Sequence, residues 1–166
     1  MTSEVKIYGI AHTAQRLVDF MVQSSIGLLK KSSVSLQEIT ALDPFTGDGV
    51  FLGSLLAHGV KHVTAYEIRR EQYEQTSNKY SRFVFLRCVD AFKMHPQNCN
   101  LFIGNPPYGK CAKDADIDRR IRETYGGEHC TKGRSIIIAG RLKQNMTNGN
   151  VGVIAEHIEF KPIAKN

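Results

Sequence analysis

No two cysteines stand close enough in the sequence to suggest a structural metal site. Cys88, Cys99, Cys111 and Cys130 are irregularly spaced and form no CxxC pair, whereas zinc ligands normally arrive in close pairs. Free thiols in a reducing cytosol are therefore expected, and no metal. His58 and His62 have helical i, i+4 spacing, but Gly59 lies between them where a helix would end, so their pairing is read as accidental. No apolar run reaches the roughly 18 residues needed to cross a bilayer. The opening MTSEVKIYGIAH lacks a basic start followed by an apolar stretch, so a cytoplasmic chain without a signal peptide is expected. Repeats, low-complexity tracts and Pro/Gly/Ser-rich linkers are missing too, and residues 1–166 read as one domain.

What is present is a globular balance, with 42% hydrophobic and 23% charged residues. Twenty-two Lys and Arg against 16 Asp and Glu leave a net charge of +6, with pI near 9.2. That surplus suits a polyanionic partner such as nucleic acid. From His12 onward, Ala14, Leu17, Val18, Met21 and Val22 follow the spacing of a helix buried on one face. The run ITALDP then meets a glycine turn, FTGDG, and GVFLGSLLAH continues as a helix to Gly59. HVTAYEI, FVFLRCV, NLFIG and NVGVIAEH read as further strands, and RREQYEQTSNKY as a polar helix. RSIIIAGRLKQNM reads as a helix after a charged stretch over 110–132.

Strands alternating with helices predict a three-layer α/β sandwich with a mainly parallel sheet. Ligands bind such sheets beyond the carboxyl ends of the strands. Asp43, Glu67, Asp90 and Asn105 each close one of the apolar runs, which gathers them at that end. Gly47 and Gly49 suit a turn whose backbone approaches a ligand, and the next helix offers free N–H groups. The turn matches neither GxxxxGK[ST] nor GxGxxG, so neither a nucleoside triphosphate nor a pyrophosphate is expected. Glu67 is placed to accept hydrogen bonds from ribose hydroxyls; the alternative is a surface carboxylate beside Arg69 and Arg70. In NPPYG, over 105–109, two prolines stiffen the chain and turn its carbonyls outward. An amide, a rigid carbonyl and an aromatic ring within four residues are suited to a planar group bearing an NH2, with a proline-stiffened turn as the alternative.

As an ordered set, LDPFTGDGVF, AYEI, VDAF and GNPPYG resemble the S-adenosylmethionine-dependent amino-methyltransferases of the Rossmann-like class I type. GIAHTAQRLVDFMV, preceding the glycine turn, resembles the opening of the γ group of DNA adenine-N6 methyltransferases. IDRRIRETY, over 117–125, is similar to the stretch after NPPY in large restriction-modification enzymes. The resemblance implies S-adenosylmethionine as cofactor. Thr13 and the turn with Phe45, Thr46, Gly47 and Gly49 would hold its methionine part and Glu67 its ribose, with Asp43 also among the cofactor-binding residues. Ile68 would pack on its adenine ring, with Asp90 and Ala91 at the polar edge. Asn105 and the Pro106 carbonyl, stiffened by Pro107, would accept hydrogen bonds from the target amine, and Tyr108 would stack on the target base. The implied reaction is methylation of adenine N6 in DNA, with the base flipped out of the duplex, within a restriction-modification or other DNA-modification system.

The sequence departs from the family at Thr46 and Asp48, where a small residue and Ser are usual. It also has His12-Thr13-Ala14 in place of Tyr-Thr-Pro. Five strands are read where the class has more, and 166 residues leave no room for a target-recognition domain. C-terminal strands are therefore expected to be missing, and a specificity subunit or further region is an expected partner. Arg119, Arg120, Arg122, Lys132 and Arg134 stand as phosphate contacts or as a solvated loop. Methylation of RNA bases, of a glutamine side chain in a translation factor, or a non-catalytic remnant are the other readings.

Overall fold

The computed structural model describes residues 12–91, 99–105 and, for the backbone, 151–154. Its sheet has five strands: β1 (Thr40–Asp43), β2 (His62–Glu67), β3 (Phe85–Cys88), β4 (Leu101–Gly104) and β5 (Val151–Ile154). Their spatial order is β3-β2-β1-β4-β5, and the β1–β2, β2–β3, β1–β4 and β4–β5 pairings are all parallel. Helix α1 (Gln15–Lys31) precedes β1; α2 (Val50–Ala57) joins β1 to β2, and α3 (Arg70–Tyr80) joins β2 to β3. The chain thus moves outward from β1 to β3, then returns to the far side of β1 as β4. That reversal puts a topological switch point between the carboxyl ends of β1 and β4, where a doubly wound sheet opens a cleft.

One sheet face carries the main core. Ala41, Val63, Ala65, Leu101 and Ile103 point toward Val18, Val22 and Leu29 of α1 and Phe51, Leu52 and Leu55 of α2. The inner strands are apolar on both faces, as in a parallel sheet covered on both sides, and all four residues of β4 are buried. On the second face, Leu42, Tyr66 and Phe102 form a smaller cluster with Phe45, Val89, Ala91 and Cys99. Thr40 N–H bonds Asn100 Oδ1 at 2.9 Å, and Asn100 Nδ2 bonds the Glu38 carbonyl at 2.8 Å. This staple sets the register of β4 on β1.

The expected helix from His12 begins later and faces differently. Ala14 is its N-cap, and its buried positions are Val18, Met21, Val22, Ser25, Ile26 and Leu29. Ala14 and Leu17 belong to no buried face, and Leu17 is 48% exposed. The stripe is rotated because α1 packs against α2, where Ser54 Oγ donates to Asp19 at 2.6 Å. Pro106, Pro107, Tyr108, the basic residues of 119–134 and the expected helix RSIIIAGRLKQNM lie outside the described residues.

Candidate functional site

Asp43 closes β1 and is wholly buried. Its Oδ1 accepts the Phe45 N–H at 3.1 Å, an Asx turn that starts the glycine loop. Oδ2 is buried with no hydrogen-bond partner among the described residues. Burial pushes this carboxyl up from 3.8 to about 7; the Phe45 N–H opposes the rise, and Glu67 and Asp48 add to it. Gly104 of β4 runs close by, and a Cβ there would stand 2.8 Å from Asp43 Oδ1. Only glycine leaves the carboxyl its space.

The loop after Asp43 is tied down on several sides. Thr46 N–H donates to the Tyr66 carbonyl at 3.0 Å, and Thr76 Oγ1 donates to the Gly47 carbonyl at 2.8 Å. Gly47 and Gly49 have φ of +54° and +80°, the left-handed region that glycine enters without penalty. At Gly49 a Cβ would also approach Tyr80 Cε2 to 2.6 Å. Gly49 caps α2 with no side-chain hydrogen bond, but the N–H groups of Phe45, Thr46, Gly47 and Gly49 are all bonded within the protein and Val50 N–H lies 3.4 Å from Asp48 Oδ1, so the expected free N–H groups are largely taken. His12 Nδ1 lies 3.2 Å from Asp48 Oδ2 across the loop's exposed side.

Glu67, at the end of β2 and expected to accept hydrogen bonds from ribose hydroxyls, already holds partners within the protein. It is 6% exposed. Its Oε2 accepts the Gly47 N–H at 2.9 Å, and Oε1 accepts the Arg69 N–H at 2.8 Å and Arg69 Nε at 3.3 Å. The carboxylate therefore fastens the glycine loop to β2. Each carboxylate oxygen can accept two bonds, so Oε2 keeps one acceptor position. The alternative of a surface carboxylate fails because Glu67 is buried; Arg69 does lie beside it, whereas Arg70 pairs with Glu74 at 2.9 Å.

Asn105 follows β4 and, through its Nδ2, donates to Thr13 Oγ1 at 2.8 Å across 92 residues of sequence. The sheet end thus gathers Thr13, Asp43, the 44–49 loop, Glu67 and Asn105. Ile68 is 56% exposed beside Glu67. Asp90 and Ala91 follow β3 and are half-buried. Phe45 and Ala91 pack on the second-face cluster. Thr76 as the loop anchor was not legible in the sequence, because only the fold makes Gly47 its neighbour, whereas Arg69 is local to Glu67, two residues away. His58 turns back to the Ser54 carbonyl at 2.9 Å, and among the described residues no three His, Cys, Asp or Glu side chains group as metal ligands. No helix among the described residues is long and apolar enough to cross a membrane.

No protein-family model and no curated protein matches the sequence. Among solved structures, an RNA methyltransferase from Salinibacter ruber in complex with S-adenosyl-L-homocysteine is 15% identical, with TM-score 0.47 over 68% of this chain and 67% of its own. A putative RNA methyltransferase from Pyrococcus horikoshii is 18% identical, with TM-score 0.48 over 61% of this chain and 50% of its own. The 23S rRNA methyltransferase ErmE is 19% identical, with TM-score 0.47 over 58% of this chain and 37% of its own. The chain thus spans between about a third and two thirds of the length of these structures. Its own strand order and crossovers define a Rossmann-like α/β fold.

Proposed function

We propose that this chain transfers a methyl group from S-adenosylmethionine to an exocyclic amine, N6 of adenine in DNA. The observation that carries the reading is the meeting of Asn105 and Thr13 at the switch point beside the glycine loop. The residues suit the cofactor. Asp43 is a buried carboxyl whose Oδ2 has no partner among the described residues, and a positively charged ligand nearby would favour its ionised form. The spare position on Glu67 Oε2 can take a hydroxyl, and the exposed Ile68 offers an adenine ring a flat apolar contact.

When bound, S-adenosylmethionine supplies an electrophilic methyl group on a sulfonium. Asn105 supplies an acceptor for the target amine. An adenine amine is a weak nucleophile because its lone pair is delocalised into the ring, and an acceptor on its hydrogen favours a pyramidal nitrogen. The Asn105 carbonyl would hold one amine hydrogen so that the nitrogen lone pair faces the methyl donor, and the proton that the amine gives up would pass to water. Catalysis here is positioning and electrostatics.

Incubation with methyl-labelled cofactor and, in parallel, DNA, RNA and a glutamine-bearing translation factor tests this reading. The expected result is label in DNA adenine, lost in Asn105→Ala with cofactor affinity kept within a few fold. Label confined to RNA or protein would refute the assigned substrate.

A further inference from the structure

We propose that Thr13 is a positioning residue for Asn105, holding the Asn105 amide so that its carbonyl end serves the target amine. The inference rests on the function proposed above. An asparagine side chain has a donor end and an acceptor end, related by a half-turn of the amide. Only the acceptor end can take a hydrogen from an amine; the donor end would set N–H against N–H. In the structure the donor end is spent on Thr13 Oγ1, at 2.8 Å, which directs Oδ1 away from that contact.

The two residues come from segments 92 residues apart in the sequence. Thr13 lies two residues ahead of α1, whose buried stripe docks on the core, and Asn105 directly follows the buried β4. Each partner is therefore anchored by an element that cannot shift without disturbing the core. Thr13 itself is half-buried, so the bond is partly shielded from competing water. A hydroxyl on a docked helix entry thus sets the amide plane at the tip of a neighbouring strand. This differs from the cofactor contact that the family resemblance implies for Thr13.

The test is Thr13→Val, which keeps the shape and removes the acceptor, beside Thr13→Ser, which keeps it. Thr13→Val is expected to lower kcat by about 10- to 100-fold, the size of effect produced by misplacing a reacting group. Calorimetry should find cofactor affinity within about threefold of the parent, and Thr13→Ser should recover most of kcat. If the valine disturbs the entry to α1, Thr13→Ala makes the same deletion with less bulk. Parental kcat in Thr13→Val and Thr13→Ala, with Asn105→Ala inactive, would overturn the positioning role and leave the proposed function intact. Cofactor affinity falling in step with kcat would overturn it too, making Thr13 a cofactor contact. Full activity in Asn105→Ala would instead sink the proposed function itself.

Discussion

Replacing Asp43 by Asn should change the pH dependence of stability more than any other single substitution at the site. The carboxyl is wholly buried and its midpoint is raised from 3.8 to about 7. The sign follows from proton counting. Between about pH 4 and pH 7 the folded chain holds a proton that the unfolded chain has lost, so stability falls as pH rises through that window. Above about pH 7 the loss is complete. At about 1.4 kcal/mol for each tenfold, the full rise corresponds to about 4 kcal/mol, and the part between pH 5 and pH 7 to about 3 kcal/mol. Asparagine carries no charge and keeps an acceptor for the Phe45 N–H, but it places an NH2 where Oδ2 has no partner among the described residues. That unsatisfied donor costs about 1–3 kcal/mol at every pH. The variant should therefore equal or trail the parent at pH 5 and gain on it by about 3 kcal/mol at pH 8. For a chain of this size that is a relative shift in Tm of about 6–12 °C. Thermal unfolding of both proteins at the two pH values reads the difference directly, since other titrating groups cancel in the comparison. A Tm difference that stays constant from pH 5 to pH 8 would show that Asp43 is ionised in the fold throughout, and that the reasoning from burial is wrong.

Glu67→Ala should weaken cofactor affinity by about 10- to 150-fold, a charge-assisted bond's worth of about 1.5–3 kcal/mol. It should also loosen the loop, because the Gly47 N–H loses its acceptor; calorimetric titration and hydrogen exchange at Gly47 measure the two effects. Gly49→Ala should destabilise by about 2–4 kcal/mol, combining a left-handed φ with a Cβ placed 2.6 Å from Tyr80 Cε2; urea unfolding checks this. Asn100→Ala should cost about 1–3 kcal/mol through the β1–β4 staple while leaving cofactor affinity unchanged, because the staple sits at the opposite end of the strands. A shared loss of affinity in that variant would mean the two sheet ends are coupled.

The sequence by itself was enough for the architecture and for the sheet end at which the candidate residues gather. Apolar runs with helical segments between them demand parallel pairing, and parallel strands present all their carboxyl ends on one side. Asp43, Glu67 and Asn105 could be assigned to one sheet end from their positions at the close of those runs. Gly47 and Gly49 were legible for the same local reason, since a strand-to-helix turn this short needs left-handed backbone. The face of α1 was not, because Leu17 and Val18 fit a helical stripe equally well until α2 selects one of them. Nor was the inward set of Glu67, whose end-of-strand position is compatible with solvent, ribose or the loop until Gly47 N–H and Arg69 stand around it. The end-of-strand place of Asp43 is legible in the sequence, but its titration is not. Its midpoint near 7 exists only because the fold buries the carboxyl, with Gly104 leaving it room. The contact of Thr13 with Asn105 depends wholly on tertiary structure: it joins residues 92 apart, and nothing local in either segment specifies the other. Periodicity and turn chemistry act over a few residues and survive in the sequence, whereas desolvation and long-range hydrogen bonds depend on which segments the sheet order makes neighbours.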